Sequence, residues 1–207
     1  DQPRSRGLGD VYKRQVLSIT LSLNDIIMLT LTKIQTHEKE YPFIEQLLHE
    51  SFPLAERRDD DLQRDYTDHN PKFTCYLITD EEEGKRILVG LMTVWDLDGF
   101  HYGEHLATSP NLRNKGYGKQ IMQRLRELYP DTFILEVERP TDEMAIRRIG
   151  FYKRCGFSLC EKDYMQPSYR KEGEEVPLYL MYAGTDSIDN QFESIRDTIY
   201  REVYGVK

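Results

Sequence analysis

"NLRNKGYGKQ", Asn111 to Gln120, sets two glycines one residue apart among three cations, Arg113, Lys115 and Lys119. The chain around it is acidic, with 28 Lys+Arg against 36 Asp+Glu and a formal net charge of −8. A basic, glycine-rich segment on such a surface is a place for an anion that the rest of the protein repels. The segment joins a predicted strand, "FHYGEHLAT", to a predicted helix with Tyr117, Ile121, Leu125 and Leu128 along one face. That junction offers free backbone N–H groups and the positive end of a helix dipole. Gly116 and Gly118 have no Cβ, so a phosphate can approach the backbone closely. The spacing is neither a Walker loop nor the dinucleotide fingerprint, because the required glycines are missing. A tight turn with solvated cations is the plainer use of the same residues.

Outward from the loop, the pattern alternates between strand and helix periods. "LTLTKIQ" reads as a first strand. "EYPFIEQLLHESFP" puts Ile44, Leu47, Leu48 and Phe52 at helical spacing, with Pro42 in the first turn and Pro53 as the stop. "LAERRDDDLQRDYTDHN" is polar and predicts a loop and a short second helix. "FTCYLIT" and "RILVGLMTVW" form a hairpin about a turn in "DEEEGK". After the glycine loop and its helix, "TFILEVE" is a near-continuous apolar strand, as expected for one buried on both faces. "TDEMAIRRIGFYKRCGF" predicts a helix closed by Gly156. "FSLCEKDY" and "VPLYLMYAG" are the last strands. From Asp186, Ile188, Phe192, Ile195, Ile199 and Val203 form the apolar face of a final helix. The predicted order is β-α-α-β-β-β-α-β-α-β-β-α, one mixed α/β domain around a largely antiparallel meander.

Composition narrows the function classes. A chain of 207 residues with 39% hydrophobic residues, 14 tyrosines and 8 phenylalanines can bury a substantial core. The negative balance argues against nucleic acid, which needs a basic stripe, and suits cationic small partners. Cys75, Cys155 and Cys160 have no metal-ligand spacing and cannot all pair within the chain, which points to a reduced, cytoplasmic setting. No apolar run approaches the ~20 residues of a membrane helix. The first 27 residues stand apart. Lys13 and Arg14 precede an apolar stretch as in a signal peptide, but Asn24 and Asp25 interrupt it and no small-residue cleavage site follows. "DVYKRQ" resembles the in-frame translation of a sequencing-library adaptor. Residues 1–27 are therefore expected to be a non-native or disordered extension, with native protein beginning at Met28.

One strand and one helix beyond the glycine loop stands "IGFYKRCGF", Ile149 to Phe157. R-x-x-G-x-G over Arg113 to Gly118, then a strand, then a helix ending F-Y-x-x-x-G-F, resembles the GNAT superfamily of acyl-CoA N-acyltransferases. The resemblance spans residues 28–183 and leaves 184–207, the last helix, unexplained. It implies an α/β fold with a central, mostly antiparallel sheet flanked by helices. It also implies an enzyme that moves an acetyl group from acetyl-CoA to a primary amine, small or peptidic, by direct transfer. A non-catalytic acyl-CoA-binding or regulatory module is the alternative. No nucleic acid or membrane partner is expected, and the chain would be a monomer or homodimer.

By the same resemblance, the backbone amides of Arg113, Asn114, Lys115, Gly116, Tyr117, Gly118 and Lys119 would cradle the coenzyme A pyrophosphate. Leu106, Ala107 and Thr108 would pair with the pantetheine arm as an added strand does, and an amide near Leu106 would polarise the thioester carbonyl. Tyr152 matches the family's frequent acid, which protonates the departing thiolate. Glu104 is the first choice for the base, on the expectation that burial raises its pKa; Glu136 in "ILEVE" is the rival. By strand alternation His105 should face away from Glu104, and His101 and His105 lack a third metal ligand. Many family members carry Asn where this chain has Ala145. One of Arg139, Arg147 and Arg148 is expected to replace that contact, Arg148 first because it can share the Tyr152 face. Acceptor choice would fall to the segment holding Phe52, Glu56, Arg57, Arg58 and the acidic run Asp59 to Asp61. Those acids would favour a cationic amine if they reach the site, or form an ordinary solvated charge run if they do not. Cys155 reads as a small packing residue.

Overall fold

The computed structural model describes residues 29–170 and 173–206; the expectation for residues 1–27 lies outside them. The elements run β1 (Thr30–Lys33), α1 (Tyr41–Ser51), α2 (Asp60–His69), β2 (Phe73–Glu82), β3 (Lys85–Leu97), β4 (Phe100–Thr108), α3 (Tyr117–Leu128), β5 (Phe133–Glu138), α4 (Glu143–Arg154), β6 (Ser158–Gln166), β7 (Val176–Ala183) and α5 (Phe192–Ile199). This is the order read from the sequence. The seven strands form one sheet, β1-β2-β3-β4-β5-β7-β6, in which only the β4–β5 pair is parallel.

Local chemistry explains most boundaries. In α1, Pro42 sits in the first turn, and Ile44, Leu47 and Leu48 are buried. Phe52 lies just past the helix, where its N–H closes on the Leu48 carbonyl at 3.0 Å. The β2–β3 hairpin is longer than its apolar residues indicate. Its strands continue until only Glu83 and Gly84 remain as the turn, at φ 52° and 73°, the left-handed pair that suits a two-residue hairpin. The charged extension pairs because Glu81 faces Arg86 and Glu82 faces Lys85 across the ladder.

Helices cover both faces of the sheet. Tyr117, Ile121, Met122 and Leu125 of α3 and Ile149 of α4 pack with Tyr76, Ile78, Met92, Phe133 and Leu135 on one face. On the other, α1 and α5 pack with Leu77, Trp95, Tyr102, Ile134 and Tyr164. Alternate residues of β5 thus serve opposite cores, which is why its sequence is apolar almost throughout. Ile188, Phe192, Ile195, Ile199 and Val203 are all buried. Burial of such side chains stabilises by about 1.5–3 kcal/mol each, and here the last helix covers its own sheet. No helix among the described residues is long and apolar enough to cross a membrane.

The feature that positions the site is an incomplete pairing. β4 and β5 pair only through His101, Tyr102 and Gly103 with Phe133, Ile134 and Leu135. Beyond Gly103 and Leu135 the two strands no longer pair, and a gap opens through the middle of the sheet.

Candidate active site

The glycine loop lies at the wider end of this gap. Pro110–Leu112 form a short 3-10 turn. Asn114 (φ 63°) and Gly116 (φ 83°) then turn the chain through left-handed conformations into α3. Gly116 is the N-cap and brings no side-chain acceptor, so the first-turn amides of α3 remain open to an external anion. Arg113, Lys115 and Lys119 have no carboxylate partner among the described residues. Gly118 has a different role, since a Cβ there would meet Phe151 Cζ at 3.3 Å. It permits α3 and α4 to approach. The Tyr117 side chain points into the core and donates from its hydroxyl to Asp80 Oδ2 at 2.8 Å. Only its backbone faces the loop, and the hydroxyl fixes the start of the helix.

A cavity of about 570 Å³ fills the gap. Leu106, Ala107 and Thr108 line it from β4, Glu136 and Glu138 from β5, and Tyr152 from α4. The β4 segment pairs with Met92, Leu91 and Gly90 of β3 on one side and has no strand on the other. Its outer backbone edge is open to an extended ligand. Tyr152 is half-buried, and burial pushes its phenol up to about 12. Its hydroxyl makes no hydrogen bond within the described residues. Arg148, one turn earlier, also lines the cavity but grips both carboxylate oxygens of Glu138. Arg139 pairs with Asp163 and Arg147 with Glu143, and neither lines the cavity. Ala145 is buried.

Glu104 differs from the expectation in both direction and environment. A β-bulge sets Val94 opposite Gly103 and Thr93 opposite His105, with Glu104 as the extra residue. Alternation therefore fails here: His105 Nδ1 lies 3.5 Å from Glu104 Oε2 rather than on the far face. The Glu104 side chain is 1% exposed. Arg58 donates to both of its oxygens, and the Tyr169 hydroxyl donates at 2.9 Å. Burial by itself raises such a carboxyl. Arg58, and after it His105, overcome that and hold Glu104 well below the usual carboxylate range. Glu104 is thus held in its charged form by its neighbours and is not the raised-pKa carboxyl expected from burial. Arg58 is itself buried against the rings of Tyr66, Phe73, Trp95 and Tyr169, at 5.0, 5.3, 5.5 and 5.5 Å.

Glu136, the rival, has the properties expected of Glu104. Burial pushes its carboxyl up to about 7, against hydrogen bonds that favour the charged form. Tyr164 donates to Oε1, and Tyr204 donates to Oε2 at 2.9 Å. No spacing in the sequence links these tyrosines to Glu136 or Arg58 to Glu104. Tyr204 follows the final helix, which the resemblance leaves unexplained, and Arg58 stands in the segment expected to set acceptor choice, where nothing marks it as the partner of Glu104.

The acidic run does not reach the cavity. Asp59 pairs with Arg170, Asp60 with Arg57 and His49, and Asp61 is fully solvent-exposed beside Arg64. These residues cap and begin α2, where negative charge complements the helix dipole. Phe52 and Glu56, from the same segment, do line the cavity. His101 stands 3.4 Å from Asp96 and against the Tyr129 ring, and Cys155 ends α4, half-buried.

The family described as "Acetyltransferase (GNAT) family" matches residues 41–157. A solved structure from Bacteroides thetaiotaomicron, assigned to the GNAT acetyltransferases, is 44% identical, with a TM-score of 0.81 over 86% of this chain and 99% of that one. Spermidine N-acetyltransferase from Vibrio cholerae, in complex with CoA and spermine, is 17% identical, with a TM-score of 0.56 over 74% of this chain and 94% of that one. At that identity the likeness is one of fold. No curated protein matches the chain.

Proposed function

The chain belongs to the GNAT family of acetyltransferases, and from that premise we propose that it moves an acetyl group from acetyl-CoA to a primary amine by direct attack on the thioester. The observation that carries this reading is the gap between β4 and β5, which joins the open backbone edge of Leu106–Thr108, Tyr152 and Glu136 in one cavity. The pyrophosphate lies on the first-turn amides of α3, with Arg113, Lys115 and Lys119 around it. The pantetheine arm runs along β4. Glu136 takes the proton from the incoming ammonium. The free amine then attacks the carbonyl carbon, and an amide of β4 near Leu106 stabilises the oxyanion. The carbon–sulfur bond breaks, Tyr152 donates its proton to the leaving thiolate, and the surplus proton still on the acylated nitrogen returns Tyr152 to its phenol form through solvent. Glu104, held by Arg58, lines the same cavity. Arg148, engaged with Glu138, orders the wall beside Tyr152.

The test is calorimetric titration with acetyl-CoA, followed by an amine panel read by released thiol. Arg113→Ala with Lys115→Ala and Lys119→Ala should weaken binding roughly tenfold or more, the scale of lost charge-assisted contacts. Tyr152→Phe should bind normally and lower kcat by roughly 10²-fold. Binding without thiol release from any amine would make the chain a coenzyme-binding module; absence of binding would overturn the reading.

A further inference from the structure

We propose that Tyr204, on the C-terminal segment beyond the family-matched residues 41–157, is a positioning residue that holds the Glu136 carboxylate in its charged, proton-accepting form. The proposal rests on the reading of Glu136 as the base.

α5 leaves its regular path after Ile199, and Tyr200–Tyr204 form a π-helical turn closed by the Val206 N–H on the Tyr200 carbonyl at 2.9 Å. Such turns are rare and recur at functional sites. Val203, within this turn, is buried and anchors it to the core on the sheet. The two tyrosines of the turn are used differently. Tyr200 donates to a backbone carbonyl, that of Met165, as a structural tyrosine does. Tyr204 instead lies 2.9 Å from Glu136 Oε2 and 3.2 Å from Oε1.

The Tyr204 hydroxyl is oriented from behind. Gln166 Nε2 donates to it at 2.9 Å and the Tyr102 hydroxyl stands 3.3 Å away, while the shorter 2.9 Å approach to the Glu136 carboxylate takes the Tyr204 proton. Its ring packs against Tyr169 at 4.9 Å between centroids. Tyr204 itself stays protonated, since burial and then Glu136 raise its phenol. It can only donate. The groups facing Glu136 come from each neighbouring element: Tyr164 from β6, Tyr102 and Glu104 from β4, Tyr169 from the β6–β7 loop, and Tyr204 from the C-terminal turn. The tyrosines that bond it favour the carboxylate, whereas Glu104, as a like charge, opposes it. Removal of one donor should make Glu136 harder to ionise.

The experiment is a 13C NMR titration of protein labelled at the glutamate carboxyl carbon, with the Glu136 resonance identified by its loss in E136Q. Tyr204→Phe keeps the ring and removes the hydroxyl. The expected result is a Glu136 midpoint raised by about one pH unit, a tenfold change in protonation. Tyr200→Phe, from the same turn, should leave the midpoint where it is. An unchanged midpoint in folded Y204F, or an equal shift in Y200F, overturns the proposal. Should Y204F not fold, Gln166→Leu releases the Tyr204 hydroxyl; an upward shift supports the proposal and none overturns it. The titration needs no substrate. Failure of the base assignment would appear separately, as thiol release that survives in E136Q.

Discussion

Two glutamates on adjacent strands titrate in opposite directions because different groups face them. Glu104 meets a guanidinium, Glu136 meets phenols, and only a full charge outweighs the cost of burial. The signs separate rate from stability. A base works ionised, so kcat/KM should rise with pH through about 7 as Glu136 loses its proton. The unfolded chain ionises this residue earlier, near ~4.3, so the carboxyl costs stability increasingly as pH climbs from there to about 7. The gain in stability from Glu136→Gln should therefore be larger at pH 8 than at pH 5 by roughly 2–3 kcal/mol, while thiol release falls roughly 10²-fold. Urea unfolding at the two pH values checks this; an equal change at both would refute it. Glu104 has the reverse sign. Its folded value is depressed, so its stabilisation is present above the unfolded value and lost as pH falls through the folded one. Arg58→Met would strand that carboxylate without its partner and should cost ~3–5 kcal/mol at pH 7.

At the scale of elements, the glycine loop and its helix form one device with separable parts. Gly116 supplies a left-handed residue at φ 83°, and Gly118 supplies clearance for Phe151. Gly116→Ala should destabilise by about 1 kcal/mol through backbone strain and weaken acetyl-CoA binding, both measurable on one preparation. Gly118→Trp should unseat α4 from α3 and lower the melting temperature, so its loss of binding would not isolate the phosphate site. The Tyr117–Asp80 hydrogen bond ties the loop to β2. Tyr117→Phe leaves a buried carboxylate without that donor and should cost about 1–3 kcal/mol.

The whole molecule depends on its last helix. The final helix covers the sheet face that holds Trp95, Tyr102 and Tyr164, and its closing turn delivers Tyr204 to Glu136. Removal of residues 186–207 should expose that face and abolish cooperative unfolding, with increased binding of a hydrophobic dye as the second readout. A truncated chain that still melts cooperatively would show the helix to be an accessory.

The sequence by itself determined the element order, the glycine junction and the family motifs, because these are written in local periodicity, turn chemistry and short spacings. It also marked Tyr152 and the strand edge at Leu106–Thr108 by resemblance. Tertiary structure decided which carboxylate is paired and which is held by phenols. Arg58 meets Glu104, and Tyr204 meets Glu136, across 46 and 68 positions of chain. A bulge at Glu104 cancels the alternation that would have sent His105 elsewhere. A group's proton affinity is set by the charges and dipoles within a few ångströms of it, and here those neighbours come from strands and helices far apart in the chain.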